Sequence, residues 1–328
     1  MSASFEIVAT DRVSKKGLAP LREDDRFVVS RIDDSSSPEY AEALSTAAGL
    51  IVRSATKVDA RMIAGAPELR VIGRAGVGVD NIDLSAATER GIAVMNAPGG
   101  NTVSAAELTL ALLLSVARRV PEADRSIRAG KWERSRFQGV ELRGRTLGVI
   151  GAGRIGGAVA ERCRAFGMKV IAYDPYLQTE DSRDLRVGFV GLDELLATAD
   201  VISLHVPLTE ETKGLIGAVA ISKMKKRAFV LNASRGGVVD EGALAAALTE
   251  GRIAGAALDV YESEPLSAES PLLQAPNLVL TPHLGASTKE AQVQVALEVA
   301  TSIRSALAYG DISSALNASE VSAAAGLS

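Results

Sequence analysis

The feature that most limits how this chain folds is a turn built of glycine. An apolar run, Thr146-Leu-Gly-Val-Ile150, leads into Gly151-Ala-Gly-Arg-Ile-Gly156, and the segment from Arg154 to Phe166 carries helical patterning. A strand therefore meets a helix N-terminus where three residues lack a Cβ. Gly151 and Gly153 let the backbone turn sharply and approach an anion, and Gly156 lets the helix pack closely on the strand. With 30 glycines in the chain, the bare spacing also arises by chance. The context argues against chance. A second strand, Lys169-Val-Ile-Ala-Tyr173, ends in Asp174, 18 residues past Gly156 and close to where an acid meets an adenosine ribose. The arrangement predicts a dinucleotide site. A carboxylate at Asp174 accepts from both ribose hydroxyls and repels a 2′-phosphate, and Pro175-Tyr176 bring no arginine to receive one. NAD is the expected cofactor, not NADP.

The same strand-helix unit recurs along the chain. Glu6–Ala9, Arg26–Val29, Gly49–Val52, Arg70–Gly73 and Ile92–Met95 read as strands of one parallel sheet. Thr146–Ile150, Lys169–Tyr173, Val187–Val190, Val201–Leu204, Ala228–Leu231, Gly255–Leu258 and Leu278–Leu280 read as seven strands of another. The expected fold class is α/β, with two doubly wound, Rossmann-like parallel-sheet domains, as 328 residues exceed what one core usually holds. Asn96-Ala-Pro-Gly-Gly-Asn101 breaks the pattern between them. A long helix, Val103–Ala117, is expected to continue through Pro121 towards Gly130, and another, Thr288–Leu307, to pack back on the first domain. The substrate domain is then discontinuous, residues 1–96 plus 286–328, around a nucleotide domain of residues 97–285. The tail from Ser313 to Ser328, rich in small residues, reads as poorly ordered.

Composition narrows the class. A net charge of -4 with no basic run argues against nucleic acid, and the longest apolar segment, Leu108–Ala117, is too short to span a bilayer. Cys163 is the only cysteine, so no internal disulfide forms. It reads as a small buried filler in a chain suited to a reducing, cytoplasmic setting. The N-terminus shows neither the basic nor the apolar region of a secretion signal. No metal enters this reading.

Three strand-to-loop junctions carry candidate chemistry. His283 follows a strand and a proline in Leu280-Thr-Pro-His283, where it is either an acid-base group or an exposed loop histidine. Glu264, in Tyr261-Glu-Ser-Glu-Pro265, can orient that imidazole or be an ordinary surface acid. Arg235, followed by Gly236 and Gly237, can grip an anion with both forks or hold a structural salt bridge. Asp259, ending the strand before Glu264, reads either as a contact on the nicotinamide side or as a helix-capping or loop residue. Together these groups suit alcohol oxidation: the cofactor takes a hydride, His283 takes the hydroxyl proton, and Arg235 holds a substrate carboxylate.

Four segments carry a resemblance over nearly the whole chain. Gly151–Gly156, Asn232–Gly242, Ala257–Pro265 and Pro282–Lys289 resemble the D-isomer-specific 2-hydroxyacid dehydrogenases. Val52-Arg-Ser-Ala-Thr56, Gly73–Asn81 and Gly130-Lys-Trp-Glu-Arg134 are most similar to the branch that oxidises D-3-phosphoglycerate, a phosphorylated 2-hydroxy acid. The resemblance implies the catalytic roles given above to Arg235, Glu264 and His283. It also implies cofactor contacts at Arg154, Ile155, Asp174, His205, Pro207, Thr212, Ala233 and Asp259, with Gly285 and Ala286 beside them. A phosphorylated substrate needs further partners: Arg53, Ser54, Arg74, the amides around Gly76 and Val77, and Asn101, with Lys131 or Arg134 reaching in from a neighbouring subunit. Arg53 reads alternatively as half of a surface ion pair. The insertion from Pro121 to Gly144, with the only tryptophan, is expected either to pack on its own domain or to pair two copies as a homodimer through residues 104–144. Two rivals stand beside this expectation: a glyoxylate or hydroxypyruvate reductase, which has no use for Arg53, and an NADH-sensing corepressor-like protein, which needs no proton transfer.

Overall fold

The computed structural model describes residues 4–177 and 187–324. The chain divides into two compact units, residues 1–101 with 286–328 and residues 102–285, so residues 97–101 fall with the first.

The first unit is built on strands β1 (Phe5–Ala9), β2 (Phe27–Arg31), β3 (Gly49–Val52), β4 (Val71–Arg74) and β5 (Ala93–Asn96). They lie in the order β2-β1-β3-β4-β5, and every neighbouring pair is parallel. Side chains alternate across a strand, and both faces here are apolar because both are covered. Ile7, Ile51 and Val71 pack against Val295, Val299 and Ile303 of the helix Lys289–Tyr309. Val8, Leu50, Ile72 and Val94 pack on the other side against Tyr40, Leu44 and Ile63. Thr288 caps the long helix, its hydroxyl accepting from the Ala291 N–H at 3.1 Å. Gly73 seats it on the sheet: a Cβ there would come within 2.3 Å of Val299.

The second unit holds β6 (Thr146–Ile150), β7 (Lys169–Tyr173), β8 (Gly188–Phe189), β9 (Val201–Leu204), β10 (Phe229–Asn232), β11 (Gly255–Leu258) and β12 (Leu278–Leu280). Their order is β12-β11-β10-β9-β6-β7-β8, again all parallel. In each sheet the winding reverses once, between β1 and β3 in the first unit and between β6 and β9 in the second. A ligand crevice opens outside the strand C-termini at such a point. Residues Thr10–Arg12 and Arg53–Thr56 emerge at the first reversal; Gly151–Gly153 and His205–Pro207 emerge at the second.

Several expected boundaries move. β4, β5 and β10 each lie one residue later than their apolar runs, because backbone pairing with neighbours extends to Arg74, Asn96 and Asn232. The helix expected to run from Val103 towards Gly130 is two helices, Thr102–Arg118 and Val120–Arg128. Arg119 adopts a left-handed conformation (φ 53°), and Pro121, which lacks an N–H to donate, starts the second helix instead of interrupting one. The tail is also better tied than its composition suggests, as far as residue 324. Asn317 is buried; its amide donates to the Thr88 hydroxyl (2.8 Å) and the Ile92 carbonyl (2.9 Å) and accepts from the Val94 N–H (2.9 Å), which fastens the segment to the β5 edge. Residues 325–328 of that expected tail lie outside the described residues. No described helix is long and apolar enough to cross a membrane.

Candidate active site

The glycine turn has the geometry of a cofactor cradle, and each glycine has a distinct steric task. Gly151 (φ 89°) is pressed against β9, where a Cβ would lie 2.6 Å from the His205 carbonyl oxygen. Gly156 closes on the strand, since its Cβ would lie 2.0 Å from the Gly151 carbonyl oxygen. Gly153 faces open space, with nothing within 4 Å of a Cβ. It precedes the helix Arg154–Ala165, whose first N–H groups, those of Arg154 and Ile155 included, have no carbonyl one turn back to bond. Donors facing open space at a helix N-terminus fit a pyrophosphate. Asp174 follows β7 beside this turn: one carboxylate oxygen accepts from the Ala152 N–H (2.9 Å), the other from the Tyr176 and Leu177 N–H groups (3.0 and 3.3 Å). The acid expected to meet a ribose is therefore held at the lip of the cradle.

The next strand end carries His205, with Pro207 and Thr212 beyond it. The Thr212 hydroxyl donates to the Pro207 carbonyl at 2.6 Å and accepts from the Thr209 N–H at 2.8 Å, which folds the loop on itself. The buried Ser203 hydroxyl lies 2.8 Å from the His205 Nε2. Desolvation pushes the His205 imidazole down to about 4, so it is neutral near pH 7. An unfolded chain takes up this proton near 6.5, whereas the folded one resists until about 4, so the unfolded state binds more protons between those values. Stability is therefore expected to fall as the pH drops through that window, by up to about 3 kcal/mol from this group. Urea denaturation across the window checks this: H205N should lose clearly less stability on acidification than the parent, and an equal loss in both would reject the assignment.

The three loops after β10, β11 and β12 bring the candidate catalytic groups onto the second unit. Asn232 is buried and closes the first loop: its amide donates to the Arg235 carbonyl (2.8 Å), and its oxygen accepts from the Ser234 N–H (3.0 Å) and hydroxyl (2.8 Å). That turn presents a half-buried Arg235, one of whose guanidinium nitrogens donates to the Ser234 carbonyl at 2.7 Å. Ala233 lies within the same turn. Gly236 permits the loop to touch the next one, as a Cβ there would sit 1.7 Å from the Tyr261 carbonyl oxygen.

In the second loop Glu264 accepts from the Tyr261 N–H through one oxygen (3.1 Å) and meets the His283 Nδ1 through the other at 2.7 Å. A carboxylate only accepts, so Nδ1 carries a proton, and in the neutral ring it is Nε2 that presents its lone pair. His283 Nε2 has no partner among the described residues, and the side chain is 44% exposed. The group has what a proton acceptor needs: an orienting partner on one nitrogen and access to the other.

Asp259 explains why His283 stands where it does. Its fully buried carboxylate accepts from the Thr281 hydroxyl (2.6 Å) and the Leu284 and Gly285 N–H groups (2.8 and 2.9 Å), and its carbonyl accepts from the His283 N–H (2.9 Å). The turn so formed places His283 in the left-handed region, φ 54°, which a residue with a Cβ seldom enters without such support. Three further residues absent from the sequence-based set steady these loops. Tyr261 donates its hydroxyl to the Thr281 carbonyl (2.8 Å), and Glu241 accepts from the Glu262 N–H (2.7 Å). Asn232 is the third. Bonds across 20 and 21 residues reveal Tyr261 and Glu241, and bonds within its own turn reveal Asn232; no spacing in the sequence marks them.

The substrate-binding candidates divide between the units. In the first, the Arg53–Thr56 turn follows β3 and Arg74 ends β4; Gly76 adopts φ 155° with its N–H on the Arg74 carbonyl (2.7 Å), and the Val77 carbonyl accepts the Asn96 amide (2.5 Å). Asn101 closes the first segment of that unit and Ala286 opens its second. Among the described residues Arg53 forms no ion pair, so the alternative reading of it as a surface ion pair has no partner. Lys131 and Arg134 are exposed on the second unit, beside Trp132 at 79% exposure.

Residues 110–285 match the model of the D-isomer specific 2-hydroxyacid dehydrogenase NAD binding domain. A D-3-phosphoglycerate dehydrogenase of Archaeoglobus fulgidus is 57% identical over 254 residues, covering 77% of this chain and 48% of that one. A D-3-phosphoglycerate dehydrogenase of Mycobacterium tuberculosis is 47% identical over 311 residues, 95% of this chain and 58% of the relative. The chain thus spans about half the length of the curated relatives it matches. Among solved structures, a glyoxylate reductase from Paecilomyes thermophila aligns with a TM-score of 0.85 at 30% identity, covering 97% of this chain and all of that one. With the glycine cradle, the parallel sheets and identity sustained over nearly its full length, the chain belongs to the D-isomer specific 2-hydroxyacid dehydrogenases.

Proposed function

We propose that this chain oxidises D-3-phosphoglycerate to 3-phosphohydroxypyruvate with NAD, in the cytoplasm. The observation that carries the reading is the 2.7 Å contact between Glu264 and His283 Nδ1, which leaves Nε2 to receive a proton. The glycine cradle and Asp174 would hold NAD, which would supply the hydride acceptor for substrate carbon 2. His283 takes the hydroxyl proton, and Glu264 stabilises the imidazolium that forms. Arg235 holds the substrate carboxylate and supports the negative charge that gathers on the carbonyl oxygen. Asp174 receives the adenosine ribose at the lip of the cradle. We assign cofactor binding and the Arg235 contact to residues 102–285, and the phosphoryl contacts, made by Arg53 and Ser54, to residues 1–101 with 286–328. Supporting that assignment, Arg53 carries a positive charge without an ion pair among the described residues and follows β3 at the reversal of its sheet. The same reading pairs two copies through residues 104–144, where Val120, Ile127 and Trp132 stand exposed.

Steady-state kinetics on D-3-phosphoglycerate, D-lactate, D-glycerate and 2-hydroxyglutarate test the substrate. The phosphorylated acid should be preferred, and R53A should raise its KM roughly 10- to 100-fold while leaving the unphosphorylated acids unchanged. An unaltered KM in R53A removes the phosphate assignment and favours a reductase of small 2-oxo acids. NAD binding with no turnover on any acid removes the enzyme reading.

A further inference from the structure

The first sheet has its own reversal point, and the two loops that leave it are bound to each other. Asp11 follows β1, and Arg53 to Thr56 follow β3. Asp11 accepts from the Arg53 N–H (2.8 Å) and the Thr56 N–H (3.0 Å) through one carboxylate oxygen, and from the Thr56 hydroxyl (2.7 Å) through the other. Asn81 grips the opposite side of the same turn, its amide donating to the Arg53 and Thr56 carbonyls, both at 2.7 Å. Amides on one side and carbonyls on the other are thus held by two side chains from distant parts of the chain.

Two details make this more than loop closure. Asp11 and Arg12 both adopt left-handed backbone, φ 58° and 56°. An aspartate tolerates that conformation better than most residues, but two in succession are uncommon and need surrounding support. The strain aims the carboxylate at backbone donors. The Arg53 guanidinium instead donates to the Asp11 carbonyl, at 3.5 Å, so the acid fixes the arginine's backbone without neutralising its charge.

We propose that Asp11 is the positioning residue of the phosphoryl-binding arginine: by holding the Arg53–Thr56 turn at the sheet reversal, it sets selectivity for a phosphorylated over an unphosphorylated 2-hydroxy acid. This rests on the assignment of Arg53 to the phosphoryl group. Asp11 acts through Arg53 and touches no substrate atom. Asparagine at position 11 keeps the shape but puts an amide where a carboxylate accepted three hydrogen bonds, so one donor of the turn loses its acceptor.

The test is kinetic, on the whole chain, with NAD saturating. In D11N the KM for D-3-phosphoglycerate should rise roughly tenfold, while kcat, the KM for NAD and kcat/KM for D-glycerate stay within about twofold. The double variant D11N/R53A should be no worse than R53A alone, because the two residues act through one contact. T56V, which removes only the hydroxyl bond, should show a smaller rise of the same kind and stands in if D11N fails to fold. Equal losses on both substrates, a lowered melting temperature with unchanged KM, or additive losses in the double variant each overturn the role of Asp11. An R53A variant indistinguishable from the parent overturns the phosphoryl assignment itself, and the positioning role with it.

Discussion

Replacing His283 by alanine is expected to lower kcat for 2-hydroxy acid oxidation by roughly 100- to 10,000-fold, the range that a positioned general base contributes. NAD should bind as before, because the glycine cradle, Asp174 and His205 do not contact His283 through any hydrogen bond in the structure. Cofactor titration followed by protein fluorescence separates the two effects. E264Q should fall between alanine and the parent. A neutral amide still occupies the position beside Nδ1, but it no longer stabilises the imidazolium formed when the hydroxyl proton arrives. If H283A retains most of its turnover, the proton goes elsewhere and the proposed chemistry is wrong. Loss of cofactor affinity in H283A would instead point to a collapsed Asp259 turn, since alanine removes the side-chain tie to Glu264 from a residue held in left-handed backbone, φ 54°.

The parts of this site legible in the sequence are those where a local rule allows few residues. Gly151 and Gly156 could be read because a close approach of backbone to backbone excludes a Cβ, and the structure finds a carbonyl oxygen within 2.6 Å of each missing atom. His283, Glu264 and Arg235 could be read because polar side chains just past apolar strands fall at the rim where parallel sheets bind ligands. The supporting residues escaped for the opposite reason. Asp259 looked like either a cofactor contact or a loop residue, and only its three hydrogen bonds to Thr281, Leu284 and Gly285 reveal it as the anchor of the histidine's turn. Asp11 lies 42 residues from Arg53, and no periodicity connects an acid after β1 to an arginine after β3. Helix ends escaped where one backbone angle decided them: Arg119 in the left-handed region splits what its hydrophobic pattern joins. Asn317 shows the same limit at the tail, where one buried amide with three partners outweighs a composition suggestive of disorder.

Arg235 sets the second large expectation, and its size depends on geometry as much as on charge. R235A should reduce kcat/KM by roughly 1,000-fold, since one charge-assisted grip on the carboxylate and the support of the forming carbonyl are lost together. R235K distinguishes the two contributions. A lysine keeps the charge but offers a single rotating ammonium in place of a planar fork, so a loss of roughly 100-fold is expected to remain. The loop itself should survive both changes, because Asn232 closes it through the Arg235 carbonyl at 2.8 Å and Gly236 seats it against Tyr261, contacts that do not involve the guanidinium. A melting temperature close to the parent's is therefore the control that makes the kinetic loss interpretable. Were R235K to restore full activity, charge alone would be enough, and the bidentate hold on the substrate carboxylate would have to be given up. Were both variants to lose kcat with KM unchanged, the arginine would act on the transition state alone, and some other residue would anchor the carboxylate in the ground state.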